Sequence, residues 1–452
     1  MPDMKAVVAE KIRESFSNDP VKVFARSLSL GKLQKPDRGN LVNTVAGVRR
    51  CGKTYRMFQE MGALLDKGVE RERILYFDFA DERLKPYEPS LLAEVMAQYR
   101  ALFPDMGNKG SYLFFDEMQD VPEWGTFLRR LVDTERATIY VTGSSSKLLS
   151  SQISSEFRGR SITRELFPMS FSEYVRFHGA GVEARDDGVY TLDEQAILRH
   201  HLKGFLERGG FIAAQGLSRS DAYLLLQEYA SRSAAEDIIE RYELSNVRVA
   251  HAFLRRCLAS SGRELSLNKT FNSFKSLGMS VSRESLSALL AYFEEAYLVF
   301  RVKEFSRSLS ANPRSVSKAY AVDPGLMAAY SPSTADDEGQ RLETAVFNAL
   351  RRRAGLPRAS AISRLLLDNK STRHEVDFVV GDALVGGEFE LVQVSCDVTD
   401  AATRKRELSA LEIAMERFGL SESWIITLDG QGEEKLSSGT VHIVPAWKWL
   451  LD

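Results

Sequence analysis

The sequence predicts an α/β fold built around a phosphate-binding loop, and three observations carry that expectation. The segment Gly47-Val48-Arg49-Arg50-Cys51-Gly52-Lys53-Thr54 fits the pattern G-x-x-x-x-G-K-[ST]. It lies between Leu41-Val42-Asn43-Thr44-Val45, a short apolar run of strand type, and Tyr55-Arg56-Met57-Phe58-Gln59-Glu60-Met61, which opens as a helix. That order sets backbone N–H groups at a helix N-terminus around a polyphosphate. Further on, Tyr112-Leu113-Phe114-Phe115-Asp116-Glu117 is a continuous apolar run ending in two carboxylates. This is the pattern of a buried parallel strand, whose C-terminal end is where ligands bind in open α/β sheets.

Each residue of the pattern has a physical task. Gly47 and Gly52 let the backbone turn tightly around phosphate. Lys53 places a point charge near the β- and γ-phosphates, and Thr54 offers a hydroxyl to Mg²⁺. Asp116 is expected to hold Mg²⁺, mostly through water, and Glu117 to polarise the attacking water. ATP and Mg²⁺ are therefore the expected cofactors. Arg49 and Arg50 fill variable positions and are assigned no catalytic role.

Two more strands are expected. Ile74-Leu75-Tyr76-Phe77-Asp78-Phe79 should lie beside the Asp116 strand. Ala137-Thr138-Ile139-Tyr140-Val141-Thr142-Gly143-Ser144-Ser145 ends in a polar tip. Thr142, Ser144 and Ser145 are candidates to orient water or sense the γ-phosphate, with an ordinary serine-rich turn as the alternative. Arg158-Gly159-Arg160 offers a guanidinium to developing phosphoryl charge, in cis or from a neighbouring subunit, or else is a solvated basic turn.

Composition bounds the rest. The chain has 452 residues, enough for two to four domains, with 44% apolar and 27% charged residues. A formal net charge of −2 gives no global basic field for nucleic acid, though a local basic surface stays open. No apolar run reaches the length of a membrane span, so no membrane partner is expected. The N-terminus carries Asp3 and Glu10 rather than a signal-like apolar core. Cys51, Cys257 and Cys396 form no zinc pattern, which fits a reducing cytoplasm. Oxidation of Cys51, inside the loop, is expected to block nucleotide binding.

These motifs together resemble the prokaryotic AAA-type ATPases that carry a C-terminal DUF4143 domain, over roughly residues 20–452. The resemblance rests on the loop, on Asp116-Glu117 followed by Gln119 and Trp124, and on Thr142-Gly143-Ser144. It rests also on Gly159-Arg160 followed by Phe167-Pro168-Met169-Ser170-Phe171-Ser172-Glu173. It implies a γ-phosphate sensor or finger at Arg160 rather than Arg158. It also implies Pro where Ile212 stands, so a turn after Arg208-Gly209-Gly210 is softened.

Residues 183–300 read mainly as helices. A helix through Phe271 to Leu277, a turn at Gly278-Met279-Ser280, and a capped helix through Leu286, Leu289, Leu290 and Tyr292 precede the strand Tyr297-Leu298-Val299-Phe300-Arg301-Val302. That order is of winged-helix type, which the resemblance also implies. It serves either DNA, through Arg283, Lys269 and Lys275, or a partner protein. Beyond residue 335, Glu343 on a helix, Asp377 on a strand and the strand Phe389–Ser395 resemble a restriction-endonuclease-like core. Gln393 stands where its second carboxylate belongs and Ser395 where its lysine belongs, so the domain is expected not to cleave. Arg404, Lys405 and Arg406 offer a basic helix face there.

The expected organisation is a P-loop NTPase (AAA-like) domain over 1–180, a helical subdomain over 181–255, a winged helix over 256–310 and the nuclease-like α/β domain over 311–452. The expected activity is Mg²⁺-dependent ATP hydrolysis that drives or gates the C-terminal domains. The alternatives are a nucleotide-gated DNA- or protein-binding switch with little turnover, and an ATP-regulated metal-dependent nuclease. A finger acting in trans would require an oligomer.

Overall fold

Parallel strands buried on both faces need helices on either side, and the first part of the chain supplies both. The computed structural model describes residues 3–17, 23–143, 159–306, 316–331, 336–369, 372–382 and 388–451. Ser144, Ser145 and Arg158 lie outside the described residues. The chain divides into two compact units, Met1–Leu166 and Phe167–Asp452.

In the first unit the order is α1 (Met4–Ser17), β1 (Val42–Ala46), α2 (Lys53–Asp66), β2 (Ile74–Asp78), α3 (Leu91–Leu102), α4 (Met106–Lys109), β3 (Ser111–Asp116), α5 (Trp124–Thr134), β4 (Ala137–Gly143) and β5 (Ser161–Glu165). The five strands form one parallel sheet in the order β2-β3-β4-β1-β5. β1, β3 and β4 are buried at every position. Helix α5 shows why it packs: Trp124, Phe127, Leu128, Leu131 and Val132 recur at three and four residues and are all buried. Burying each such side chain contributes about 1.5–3 kcal/mol. The strand boundaries match the sequence expectation within a residue or two, and β2 pairs with β3 as expected, Asp78 opposite Asp116.

The second unit opens with helices α6 (Phe171–Phe177), α7 (Leu192–Arg208), α8 (Arg219–Ala234) and α9 (Val247–Ala259). Then come β6 (Arg263–Glu264), α10 (Leu267–Ser276), α11 (Arg283–Glu295), β7 (Val299–Glu304), β8 (Lys318–Ala321), α12 (Pro324–Tyr330) and α13 (Asp336–Ala354). It closes with β9 (Ile362–Asn369), β10 (Thr372–Val380), β11 (Glu390–Val394), α14 (Ala401–Phe418), β12 (Glu422–Thr427), β13 (Gly432–Leu436), β14 (Gly439–Pro445) and α15 (Ala446–Trp449). Capping explains the helix starts: Ser170, Thr191 and Ser282 each close a reciprocal capping box.

β6 pairs with β8 and β8 with β7, both antiparallel. β7 also pairs with β9 in parallel, Lys303 opposite Ser363, so one nine-stranded sheet runs β13-β14-β12-β11-β10-β9-β7-β8-β6. β9, β10 and β11 form an antiparallel meander, and β12 adds to β11 in parallel. Helix α14 covers this sheet with Ala410, Leu411, Ala414 and Met415 in a core that includes Leu365, Val376, Leu391 and Ile425. The terminal tryptophan packs as an anchor: Trp447 is buried edge-on against Tyr190. Among the described residues no helix is long and apolar enough to cross a membrane.

Candidate nucleotide-binding site

The loop of residues 47–52 leaves the C-terminal end of β1 and enters α2. Gly47 is required sterically, since a Cβ there would meet the Leu166 carbonyl oxygen at 2.1 Å. Gly52, the residue before α2, has φ +101°, which favours glycine, and no side chain caps the helix behind it. The first N–H groups of α2 are thus left to a ligand, as an anion site needs. Lys53 is buried, with Nζ donating to the carbonyls of Gly47 at 3.0 Å and Val48 at 3.1 Å. Its ammonium is held within the curve of the loop.

Thr54 meets the second motif directly: its Oγ1 donates to Asp116 Oδ2 at 2.6 Å. Asp116 ends β3 and is almost wholly buried. Thr142, near the end of β4, donates to Asp116 Oδ1. Burial pushes the Asp116 carboxyl above the usual range, with Glu117 and Asp78 adding to the effect and the Thr142 and Thr54 hydrogen bonds opposing it. Glu117 follows in a left-handed conformation, φ 51° and ψ 39°, which turns the chain out of the strand. Its Oε2 accepts from Gln119 Nε2 at 2.8 Å. The structure therefore brings Gly47, Gly52, Lys53, Thr54, Asp116, Glu117 and Thr142 together. Hydroxyl and carboxylate oxygens from Thr54 and Asp116 are the hard donors that Mg²⁺ takes, so these residues fit it.

Arg160 is not brought there. The β1–β5 register sets Val42 opposite Ser161, so Arg160 lies at the start of the parallel pair. The loop leaves at the other end, past Ala46, roughly 13 Å further on at about 3.3 Å per residue. Arg160 instead pairs with Asp133 on α5. Of the two placements left open for this arginine, on its own chain's nucleotide or on a neighbour's, parallel pairing sets it away from its own loop. Cys51 sits inside the loop and is buried. Its thiol is buried and donates to the Leu166 carbonyl at 3.2 Å, and burial pushes its pKa up, so it is not an exposed thiolate poised for oxidation.

Two residues of the site escaped the sequence reading. Tyr76 on β2 donates its hydroxyl to Asp116 Oδ2 at 3.0 Å. A tyrosine inside an apolar strand must place its hydroxyl somewhere, and that was the available signal. Arg26 is buried and donates from Nη1 to the Cys51 carbonyl at 2.7 Å, bracing the loop from outside the motif.

The C-terminal candidates lie together differently than the nuclease resemblance implies. Gln393 is used at both ends: Oε1 accepts from the Asp377 N–H at 3.1 Å and Nε2 donates to Glu407 at 2.6 Å. Ser395 donates to the Asp397 carbonyl. Glu343 and Asp377 both receive hydrogen bonds from Lys318. Burial, with Asp377 next, pushes the Glu343 carboxyl up, and Lys318 and the Tyr320 hydrogen bond oppose that shift. Among the described residues no group of three His, Cys, Asp or Glu is arranged to hold a metal. Of the basic run, Arg404 pairs with Glu434 and Arg406 with Glu407, so much of its charge is compensated.

Comparison with known proteins fits this geometry. An AAA domain family, AAA_14, matches residues 39–175, and a domain of unknown function, DUF8612, matches residues 199–337. The fold is thus an AAA-type P-loop NTPase fold followed by a second α/β domain. The DUF8612 match overturns the expected DUF4143 assignment. Every motif behind that expectation lies within residues 47–173, inside the AAA match, and so could not identify the domain beyond it. An uncharacterized protein of Haemophilus influenzae is 22% identical over 412 residues, 91% of this chain and 94% of that one. The structure of the Aeropyrum pernix ORC1 protein in complex with DNA aligns at 13% identity and a TM-score of 0.29, over 72% of this chain and 91% of that one, too low a score to bear on partners. The uncharacterized protein MJ1544 of Methanocaldococcus jannaschii is 32% identical over 423 residues, 91% of this chain and 88% of that one. With its phosphate loop, its buried carboxylate and that likeness along nearly the whole length, the chain belongs to the same family as MJ1544.

Proposed function

We propose that the chain binds Mg·ATP at residues 47–54 and hydrolyses it to ADP and phosphate, driving or gating a change in its C-terminal half. The observation that carries this reading is the 2.6 Å hydrogen bond between Thr54 and Asp116, which joins the end of the loop pattern to the strand carboxylate. The α2 N-terminus and Lys53 bind the phosphates, with Lys53 exchanging loop carbonyls for phosphate oxygens. Thr54 and Asp116 hold the cation, which when bound neutralises charge on the β- and γ-phosphates. Glu117, steadied by Gln119, positions the attacking water, and Thr142 holds Asp116 in place. Three free cysteines accord with a cytoplasmic setting. Fluorescent-ATP titration with Mg²⁺ and with chelator tests the binding half: affinity should require the cation.

Tyr76 is a positioning residue here. Tyr76→Phe removes one hydrogen bond to Asp116, worth about 1 kcal/mol, and should weaken Mg·ATP binding about fivefold while leaving Mg-free ATP binding unchanged. Equal weakening with and without Mg²⁺ would show a general structural role instead.

A switch with little turnover is the second reading, and the position of Arg160 favours it. Paired with Asp133 at the far end of β5, Arg160 serves only a neighbour's nucleotide, so an isolated chain turns over slowly and an oligomer faster. Arg160→Ala should leave ATP affinity unchanged and abolish any rise of specific activity with protein concentration. A loss of affinity in dilute protein would contradict this placement.

For the second unit we read β6, α10, α11 and β7 as a winged helix over residues 256–310, with β8 pairing at its edge. The support is the β6-β8-β7 pairing and the capped α11 bearing exposed Arg283. It offers a surface for DNA or a partner protein. The α13, β9–β11, α14, β12 order supports a nuclease-like scaffold over 311–452, and residues 181–255 form the helical subdomain that precedes the winged helix in sequence.

A further inference from the structure

The acidic residues at the heart of the C-terminal sheet are already occupied from within the chain. Lys318, the first residue of β8, reaches between α13 and β10. Its Nζ donates to Glu343 Oε1 at 2.9 Å and to Asp377 Oδ1 at 3.0 Å, and lies 2.9 Å from Glu375 Oε1. The Lys318 side chain is only 10% exposed. Two further donors reach the same carboxylates: Tyr320 donates to Glu343 Oε1 at 2.7 Å and the Val394 N–H to Asp377 Oδ2 at 3.0 Å.

An ammonium has three donors and no acceptor, and one this deeply buried persists only where negative charge surrounds it. Three carboxylates supply that charge. A divalent cation would need the same oxygens at about 2.0–2.6 Å, with a net charge of +2 in the space the ammonium fills. Gln393, bonded at both ends, and Ser395 add no carboxylate to compete for it.

We infer that Lys318 is a built-in cation: it takes the position of a divalent metal between Glu343, Glu375 and Asp377, closes the cluster to metal, and leaves the second unit a non-cleaving scaffold. Removing the ammonium leaves three carboxylates, Glu343, Glu375 and Asp377, facing the space it filled, with Arg364 Nη1 3.5 Å from Glu375 Oε1 as the remaining cation. The inference is independent of ATP chemistry at the other unit.

Mn²⁺ titration of the nucleotide-free full chain, followed by the paramagnetic signal of free Mn²⁺, tests it. The wild-type chain and Asp377→Asn should give the same titration. Lys318→Ala should gain a site at least about tenfold tighter than any in the wild type, and the added Asp377→Asn change should remove it. Mn²⁺ should raise the melting temperature of Lys318→Ala and not of the wild type. Where Lys318→Ala does not fold, Lys318→Met keeps the hydrocarbon stem, and the wild-type comparison stands alone. Wild-type Mn²⁺ binding that Asp377→Asn abolishes would overturn the inference. So would a folded Lys318 variant that gains no site.

Discussion

Lys53→Ala should abolish tight nucleotide binding, lowering ATP affinity at least about 100-fold, which is the loss of about 3 kcal/mol from a charge-assisted contact. Lys53 Nζ is bonded to the Gly47 and Val48 carbonyls inside the loop, so the charge is fixed where phosphate oxygens would replace those carbonyls. Alanine removes the charge and also leaves the two carbonyls facing the phosphate, so repulsion adds to lost attraction. The fold should survive, because α2 keeps Met57 and Leu64 in the core. Isothermal titration with ATP checks the affinity and circular dichroism checks the fold. Unchanged affinity in a folded variant would remove the loop from the account.

Glu117→Gln should separate binding from turnover. The amide keeps the size and the hydrogen bond to Gln119 but cannot take a proton from water. Loss of a positioned base costs about 10²–10⁴-fold in rate, so turnover should fall by at least about 100-fold. ATP affinity should stay within about threefold, because the residues proposed to hold the cation, Thr54 and Asp116, bond to each other and do not depend on Glu117. Single-turnover kinetics distinguish this from slower product release. A variant with normal single-turnover rate would show that another group positions the water.

The features legible in the sequence are those set by local spacing. The loop glycines, Lys53 and Thr54 sit on one turn of chain, and Asp116-Glu117 ends one strand, so neighbours along the sequence decide their positions. The strand order explains most of what was not legible. Tyr76 reaches Asp116 because β2 lies beside β3 in register, Asp78 opposite Asp116. Arg160 comes after the polar strand tip in sequence, yet parallel pairing of β5 with β1 carries it to the far end of the sheet. Lys318 had no local sign at all. It precedes Glu343 and Asp377 by many residues, and only the folding of β8, α13 and β10 around one point makes it their partner. The short strand β7 likewise read as part of a wing, while its second edge, which joins β9, depends on a pairing partner distant in sequence.

The central claim is that ATP is hydrolysed at this loop. Steady-state phosphate release by the purified full chain with Mg·ATP, with and without double-stranded DNA, and beside Lys53→Ala, tests it most directly. The account predicts Mg²⁺-dependent release that Lys53→Ala eliminates, with stimulation by DNA if α11 meets the duplex and indifference to DNA if its partner is a protein. Release that persists undiminished in Lys53→Ala, or that needs no divalent cation, would contradict it.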